Sequence, residues 1–416
     1  MPTHRKTIVI GAGITGVSTS IWLRRRGHSV LLIDKGAPGM GASYGNAGLL
    51  AQWAFIPVTG PSLLRQAFKY LPNPNSPLFL KWGYLPKMLP WLRQFIGYAN
   101  DFDTRRIVQQ LIPLVGDAYD QHQALVKGSE AQKWIAESHF SFAYSDRHAF
   151  NADAYGWALR GEAGMVPEIL EGPAVQEEEP ILGHSIKLLA VLKGHGHIIN
   201  PAGYVAHLAK IFQQEGGQFL NAEVQDFDLG SGQIRAVQTD RGRFKCNNAV
   251  VAAGIWSKPL MNKIGLKVPL EAERGYHIIF KNPSQKPRNP MMIASSKFCV
   301  NPMQTGLRCA GLVELGDIKA GPSTAPLVLL RRKAHETFPD LRYDNTEEWL
   351  GFRPSTPDSL PLIGEIKNTG IFTAFGHQHV GLTAGPKTGR LVADLISNQR
   401  PNLDLTAYSP NRYAKI

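Results

Sequence analysis

Residues 6–34 read KTIVIGAGITGVSTSIWLRRRGHSVLLID, and the rest of the chain is organised around this stretch. Thr7 to Ile10 is a short apolar run rich in β-branched residues, which predicts a buried strand. Gly11, Gly13 and Gly16 follow it in the G-x-G-x-x-G spacing. Ile14 to Arg26 then predicts a helix, with Ile14, Val17, Ile21 and Trp22 on one side and Gly27 as its stop. Val30 to Ile33 is a second apolar strand, ending in Asp34. In such a unit Gly11 allows the tight turn, Gly13 lets a pyrophosphate approach the backbone, and Gly16 lets helix and strand pack closely. The helix start offers N–H groups and partial positive charge, and an acid about 20 residues on takes ribose hydroxyls. Alone the glycine spacing is a weak signal. Between strand and helix, with Asp34 in place, it predicts a dinucleotide site.

The chain has 416 residues and is 43% hydrophobic, enough to bury a sizeable core, and two domains are expected. Its three cysteines, Cys246, Cys299 and Cys309, form neither a disulfide framework nor a C-x-x-C pair. That fits a reducing compartment and argues against structural zinc. The first strand begins within a few residues of Met1, which leaves no room for a signal peptide. A cytoplasmic location is therefore expected. No run of about 18 apolar residues occurs, so no helix is expected to span a bilayer.

The formal charge of +12 has a plain explanation in solubility and attraction of an anionic cofactor or substrate. Its distribution suggests a sharper one. Lys35 to Asn100 contains no acid but carries Arg65, Lys69, Lys81, Lys87 and Arg93 among many aromatic residues. Two helices are expected there, Pro61–Leu71 and about 86–98, the second with Met88, Leu89, Trp91, Leu92, Phe95 and Ile96 as its apolar positions. Two readings stay open for this segment: contact with an anionic membrane on the inner face of the cell membrane, or packing onto the core or a dimer partner. A nucleic-acid partner would need a dedicated basic patch or domain, and none is visible. No nucleic acid is expected.

Along the rest of the chain, 35–50 is a loop dense in small residues whose backbone can wrap close to a ligand, with Ser43 and Asn46 as donors or acceptors. Asp101 to about Lys127 predicts one long surface helix, Glu177 to Glu179 a solvated turn, and Leu188 to Leu192 a short strand. His195 and His197 follow it without the carboxylate or helical spacing of a metal site, so no metal is expected. A helix at 201–215, a strand meander over 218–246 and a buried strand ending in Gly254 complete a second nucleotide-binding half, with Val224 at the adenine. From Lys267 the pattern turns to β and predicts a mostly antiparallel substrate sheet. Near the end, a strand at Ile371 to Phe375 leads into GHQHVGLTAGPKTGRLVADLIS, where a glycine-rich turn opens a helix.

Four blocks in order, GAGITG with Asp34, GASYGNAG, GFRPSTPDSLPLIG and GHQHVGLTAGPKTGRLVADLI, carry a resemblance that spans nearly the whole chain. The chain resembles the FAD-dependent D-amino-acid oxidase superfamily, and within it looks most like the bacterial D-amino-acid dehydrogenases. The resemblance implies an α/β plus α+β architecture: a Rossmann-like FAD-binding domain from 1–60, 195–265 and 345–416, and a mixed or antiparallel substrate domain from 61–194 and 266–344. It implies FAD held by Gly11, Gly13, Ile14, Thr15, Gly16, Asp34, Lys35, Ala42, Ser43, Asn46, Ala47, Gly48, Leu49, Val224, Ala253, Gly254 and Gly351. Near the C-terminus it adds Gly376, His377, His379, Val380, Gly381, Leu382 and Thr383. Relatives that attach the flavin covalently do so through a cysteine where this chain has Gly351, so noncovalent FAD is expected.

The same resemblance implies that Arg353 binds the substrate carboxylate through a bidentate pair. It places a tyrosine of the substrate sheet toward the flavin, and RGYH offers Tyr276 or His277; alternation lets one of them face the site, with Tyr276 preferred. His377 is a further catalytic candidate, and His379 reads as packed or solvated. The implied activity is oxidative deamination of a small amino acid, D-configured or proline-like, by hydride transfer from Cα to flavin N5. Electrons would pass to a membrane quinone or another acceptor. The alternatives are an O₂-using oxidase of the glycine, sarcosine or N-alkyl type, and a flavoprotein acting on RNA. An oligomer is compatible with all of these.

Overall fold

The computed structural model describes residues 6–61, 67, 73 and 75–413. The opening stretch folds as read: strand Lys6–Ile10, helix Ile14–Arg25 and strand Ser29–Asp34. These two strands pair in parallel at the middle of a six-stranded sheet. Asn248–Val251 lies on the other side of Lys6–Ile10, and Ile371–Phe375 beyond it, all parallel. Leu362–Glu365 closes one edge antiparallel and Gln218–Asn221 the other parallel. Buried on both faces, these strands are near-continuous runs of Val, Ile and Leu, as parallel sheets require. The meander Val224–Gly230, Gln233–Thr239 and Gly242–Lys245 forms a separate three-stranded sheet.

The third sheet has ten strands. Its functional end runs Thr346–Ser355, Glu271–Phe280, Gly306–Leu315 and Phe298–Met303, all antiparallel neighbours. The helix Thr324–Thr337 packs on one face of Glu271–Phe280 and Gly306–Leu315, burying Tyr276, Ile278, Phe280 and Leu312 with Leu329 and Leu330. The opposite face meets the glycine-rich loop at 44–48. Two strands of this sheet, Leu49–Leu50 and Thr346–Ser355, fall inside the ranges 1–60 and 345–416 expected on the nucleotide side. The chain changes sheets at those strands, which carries the loop and Arg353 to the boundary.

The C-terminal helix Gly381–Ile396 lies against the first helix, and small residues permit it. A Cβ on Gly389 would sit 2.6 Å from Thr19 N, and one on Gly385 3.0 Å from Ile14 Cγ1. Ile14 and Gly385 belong to the opening turns of the two helices, so both starts converge on one place.

Several local expectations change. The helix over 101–127 is two helices, Asp101–Val115 and Ala118–Val126, with the break at Gly116. Glu177 and Glu178 end a short helix, Pro173–Glu178, and Glu179 is buried rather than solvated. It accepts from Arg288 N at 2.8 Å and Asn289 N at 2.9 Å, and burial pushes its carboxyl up to about 7. The strand at Leu188 runs on to Ile198 and takes in His195 and His197, both buried and held down to about 4 by desolvation. Among the described residues no three His, Cys, Asp or Glu side chains gather as a metal site.

The helix expected at Pro61–Leu71 falls mostly outside the described residues. The one expected near 86–98 is Leu85–Gly97, and it divides the two open readings between its faces. Met88, Trp91 and Phe95 face inward, whereas Leu89 and Ile96 are exposed.

Candidate active site

The nucleotide side is built from backbone. Gly11 has φ +105° and a Cβ there would lie 2.5 Å from Ala252 O; a Cβ on Gly16 would lie 1.8 Å from Gly11 O. Neither position admits a side chain. Gly13 is different, since its Cβ would meet nothing nearer than Ser43 Oγ at 3.4 Å, which leaves open space for a ligand. Asp34 holds this turn: Oδ2 accepts from Ala12 N at 2.6 Å and Oδ1 from Gly36 N at 2.8 Å. Each oxygen keeps a second lone pair for a ribose hydroxyl. Ser43 Oγ accepts from Ile14 N at 3.0 Å, and Thr15 is buried in the same turn. Nearby, Lys35 Nζ lies 4.4 Å above the Trp256 ring and 3.3 Å from Glu223 Oε1, beside half-buried Val224, Ala253 and Gly254.

Neither the first helix nor the C-terminal helix has a side-chain N-cap or an acid in its first turn. Two uncapped, converging N-termini beside the gap at Gly13 fit the anionic pyrophosphate and the electron-rich edge of FAD. Ala42 borders this region and is exposed, and Gly381 is half-exposed at its helix start. Gly376, with φ +87°, and Val380 shape the turn into the helix, and Thr383 Oγ1 ties it to Leu49 O at 3.2 Å.

The substrate side is one face of the large sheet. Glu273, Gly275 and His277 alternate along the central strand Glu271–Phe280, opposite Arg353, Gly351 and Trp349 on Thr346–Ser355. Three side chains of this face hold the glycine-rich loop. His277 Nδ1 lies 3.2 Å from Gly45 O, Asn301 Nδ2 donates to Ala47 O at 2.7 Å, and Arg308 Nη1 donates to Asn46 O at 2.6 Å and Tyr44 O at 2.9 Å. Asn46 Oδ1 in turn accepts from Gly48 N at 2.8 Å. The Trp349 indole stacks on His277 at 5.2 Å between centroids and occupies the space that Cβ atoms on Gly45 and Gly351 would fill.

Arg353 lies flat across this face. A Cβ on Gly275 would come 2.7 Å from its Cζ, and Nη2 donates to Gly311 O at 3.0 Å. Among the described residues it forms no ion pair. Burial pulls its pKa down, and the charge of Glu273 opposes that. His379 has an exposed side chain, yet desolvation and then the Arg353 charge hold its imidazole down to about 4. His379 and Arg353 therefore lie near enough for one charge to act on the other.

Two of the expected catalytic side chains point elsewhere. Tyr276 is on the wrong face, because alternation turns residue 276 toward the helix Thr324–Thr337 when Gly275 and His277 face the loop. Its hydroxyl donates to Glu314 Oε2 at 2.7 Å and accepts from Ser323 N at 3.1 Å. His377 is buried, with Nε2 at 2.9 Å from Thr388 Oγ1, and burial holds it down to about 4. Gln378, at φ +48° with its amide on Thr356 O at 3.1 Å, turns the chain so that His379, read as packed or solvated, is the exposed one of the pair. His277 lies on the site side but is spent on the loop. Its Nε2 is buried without a partner among the described residues, and its pKa is pushed down to about 3.

Glu273, Ser355, Trp349, Asn301 and Arg308 share this face with Arg353 and were not singled out from sequence. Once Arg353 is placed and the Glu273–Arg353 register is known, alternation gives the first three. Trp91 reaches the same place from the helix Leu85–Gly97, donating from Nε1 to Ser355 O at 3.1 Å.

Comparison with known proteins gives one consistent result. The family model described as FAD dependent oxidoreductase matches residues 6–395. A D-amino-acid oxidase of Bradyrhizobium diazoefficiens is 37% identical over 422 residues, covering 99% of this chain and all of that protein. A D-amino acid dehydrogenase of Rhizobium rhizogenes is 27% identical over 433 residues, covering 98% of this chain and all of its own. Glycine oxidase from Geobacillus kaustophilus shares the fold, with a TM-score of 0.78 at 21% identity over 99% of this chain and all of that one. The chain belongs to the FAD-dependent oxidoreductase family.

Proposed function

We propose, from that membership, that this FAD-dependent enzyme oxidises a small α-amino acid, with D-configured acids as the first candidates. The Gly11–Gly16 turn and Asp34 would hold FAD, which would supply the hydride acceptor for Cα. The substrate amine, once its ammonium has lost a proton, would become an imine that takes up water and releases ammonia to give a 2-oxo acid. Arg353 carries the reading. The residue is half-buried and its guanidinium is bonded to a single carbonyl among the described residues, so a bidentate carboxylate would complete its donors. The chain's own part is to hold that carboxylate, fix Cα and exclude water. His277, His377 and His379 are all neutral near pH 7. None of them supplies a fixed positive charge there.

Anaerobic bleaching of the flavin against D-, L- and N-alkyl amino acids tests the reading directly, and no bleaching by any of them would overturn it. Arg353→Ala should raise KM about 100-fold or more, since a charge-assisted pair in a dry cleft is lost. Wild-type kcat/KM in that variant would remove Arg353 from the site.

For the electron acceptor, one surface favours a membrane quinone over O₂. Trp82, Leu89, Ile96 and Phe102 are exposed on and beside the helix Leu85–Gly97, with Lys81, Lys87 and Arg93 among them. Apolar side chains fringed by cations suit a peripheral contact with anionic lipid. No helix among the described residues is long and apolar enough to cross a membrane. Failure to co-sediment with anionic liposomes at low salt would leave a soluble acceptor or O₂.

A further inference from the structure

A second charge shares the substrate face with Arg353. Glu273 stands directly opposite Arg353 in the strand register, with its side chain on the same face. It is 6% exposed. Ser355 Oγ donates to its Oε1 at 2.5 Å, and no described residue bonds its Oε2. A buried carboxylate with one neutral donor is costly unless a cation meets it. Arg353 forms no ion pair with it: its guanidinium lies over Gly275, two residues further along the strand. The two charges act on each other without forming an ion pair, and both keep bonding capacity for a ligand.

We propose that Glu273 is a specificity-determining residue that binds the ammonium group of the substrate, so that Arg353 and Glu273 together read the two charges of an α-amino acid. The spacing suits one. In an amino acid the nitrogen and the carboxyl carbon are about 2.5 Å apart, so a cation and an anion side chain on neighbouring positions of one sheet face can each take one end through a hydrogen bond of about 2.9 Å. A plain carboxylate satisfies Arg353 but leaves Glu273 unpaired, and a 2-hydroxy acid offers it a neutral O–H in place of an ammonium, so both bind less tightly. Ser355 and Trp91 hold the arrangement, since Ser355 orients the carboxylate and its own carbonyl is pinned by the Trp91 indole.

This rests on the amino-acid reading above, and the test separates the two. In the wild-type holoenzyme, an amino acid that reduces the flavin should bind at least about 10-fold more tightly than its 2-hydroxy and deamino analogues. The analogues are read as competitive inhibitors and by their perturbation of the flavin absorbance. In Glu273→Gln, KM for the amino acid should rise about 10- to 100-fold with a smaller change in kcat, while Ki for the deamino analogue stays the same or falls. Equal losses for both ligands would show that Glu273 only positions Arg353, and no loss for either would remove it from the site; both results overturn the proposal. If Glu273→Gln does not hold FAD, the wild-type comparison still decides, because an analogue binding as tightly as the amino acid is equally fatal. If no amino acid bleaches the flavin, the amino-acid reading fails. Glycine against acetate, read by absorbance alone, then tests Glu273.

Discussion

The two walls of the cleft are made of different material. The nucleotide wall is backbone: Gly11 and Gly16 admit no Cβ, Gly13 leaves space, and two uncapped helices start there. The substrate wall is side chain: Arg353, Glu273, His277 and Trp349 stand on one face of a sheet and are placed by register. A backbone site is dictated by a few glycines at fixed local spacing. A side-chain site depends on which of two faces each strand presents, and on partners tens to hundreds of residues away. The first kind tolerates almost no substitution at its glycines. The second can be altered one face at a time.

The largest expected effect is on the backbone wall. In Gly16→Ala the new methyl would sit 1.8 Å from Gly11 O, and main chain on both sides must move. A loss of about 3 kcal/mol in stability is expected, with FAD content falling in parallel. Thermal unfolding and flavin absorbance of the purified variant check this. Full FAD content would break the distinction between the walls.

On the substrate wall, neighbours should behave oppositely. Gly275→Ala puts a methyl 2.7 Å from Arg353 Cζ and must displace the guanidinium, while the glycine turns are untouched. FAD should be retained and kcat/KM should fall about 100-fold. Tyr276→Phe alters the other face. It strands Ser323 N and removes one of two donors to Glu314 Oε2, which keeps Arg274 Nε at 2.6 Å, costing about 1–2 kcal/mol of stability with kcat/KM unchanged. Steady-state kinetics and urea unfolding of the two variants separate the faces, and a comparable loss of kcat/KM in both would merge them.

What could be read from sequence follows the same division. The opening unit, the strand Ile371–Phe375 and the second helix start were legible because glycine spacing and apolar runs are local signals. Arg353 was legible through its flanking motif. Tyr276 and His377 were not, because adjacent residues on a strand look equivalent until one contact fixes parity. For the central strand that contact is His277 to Gly45, across 232 residues. Its burial on both faces also removed the hydrophobic alternation that would have shown which side is which. For His377 and His379 the deciding feature is the positive φ of Gln378, a residue type with no special preference for it.

The smallest expected effect is a coupling of about 1 kcal/mol where the two walls are tied together, at the start of the C-terminal helix. Pro386 has no N–H, so Leu382 O, four residues earlier, has no helical donor. His122 supplies one: Nε2 lies 2.9 Å from Leu382 O, and Nδ1 lies 2.8 Å from the Tyr204 hydroxyl. A carbonyl can only accept, so Nε2 carries the proton and Nδ1 accepts from Tyr204. Burial holds this imidazole down to about 4 from an ordinary 6.5. Between those values the unfolded chain binds the proton and the folded chain does not, so the contribution is full above 6.5 and is lost as pH falls toward 4. His122→Ala should cost about 2–4 kcal/mol at neutral pH and flatten the fall in stability over that window. In a Pro386→Ala background the cost should shrink by about 1 kcal/mol, because replacing the proline restores a helical N–H to Leu382 O. Urea unfolding of the four proteins at about pH 7.5 and about pH 5, either side of the ordinary imidazole value, measures both terms. An unchanged cost in the second background would mean that His122 serves Tyr204 and its packing, not the C-terminal helix.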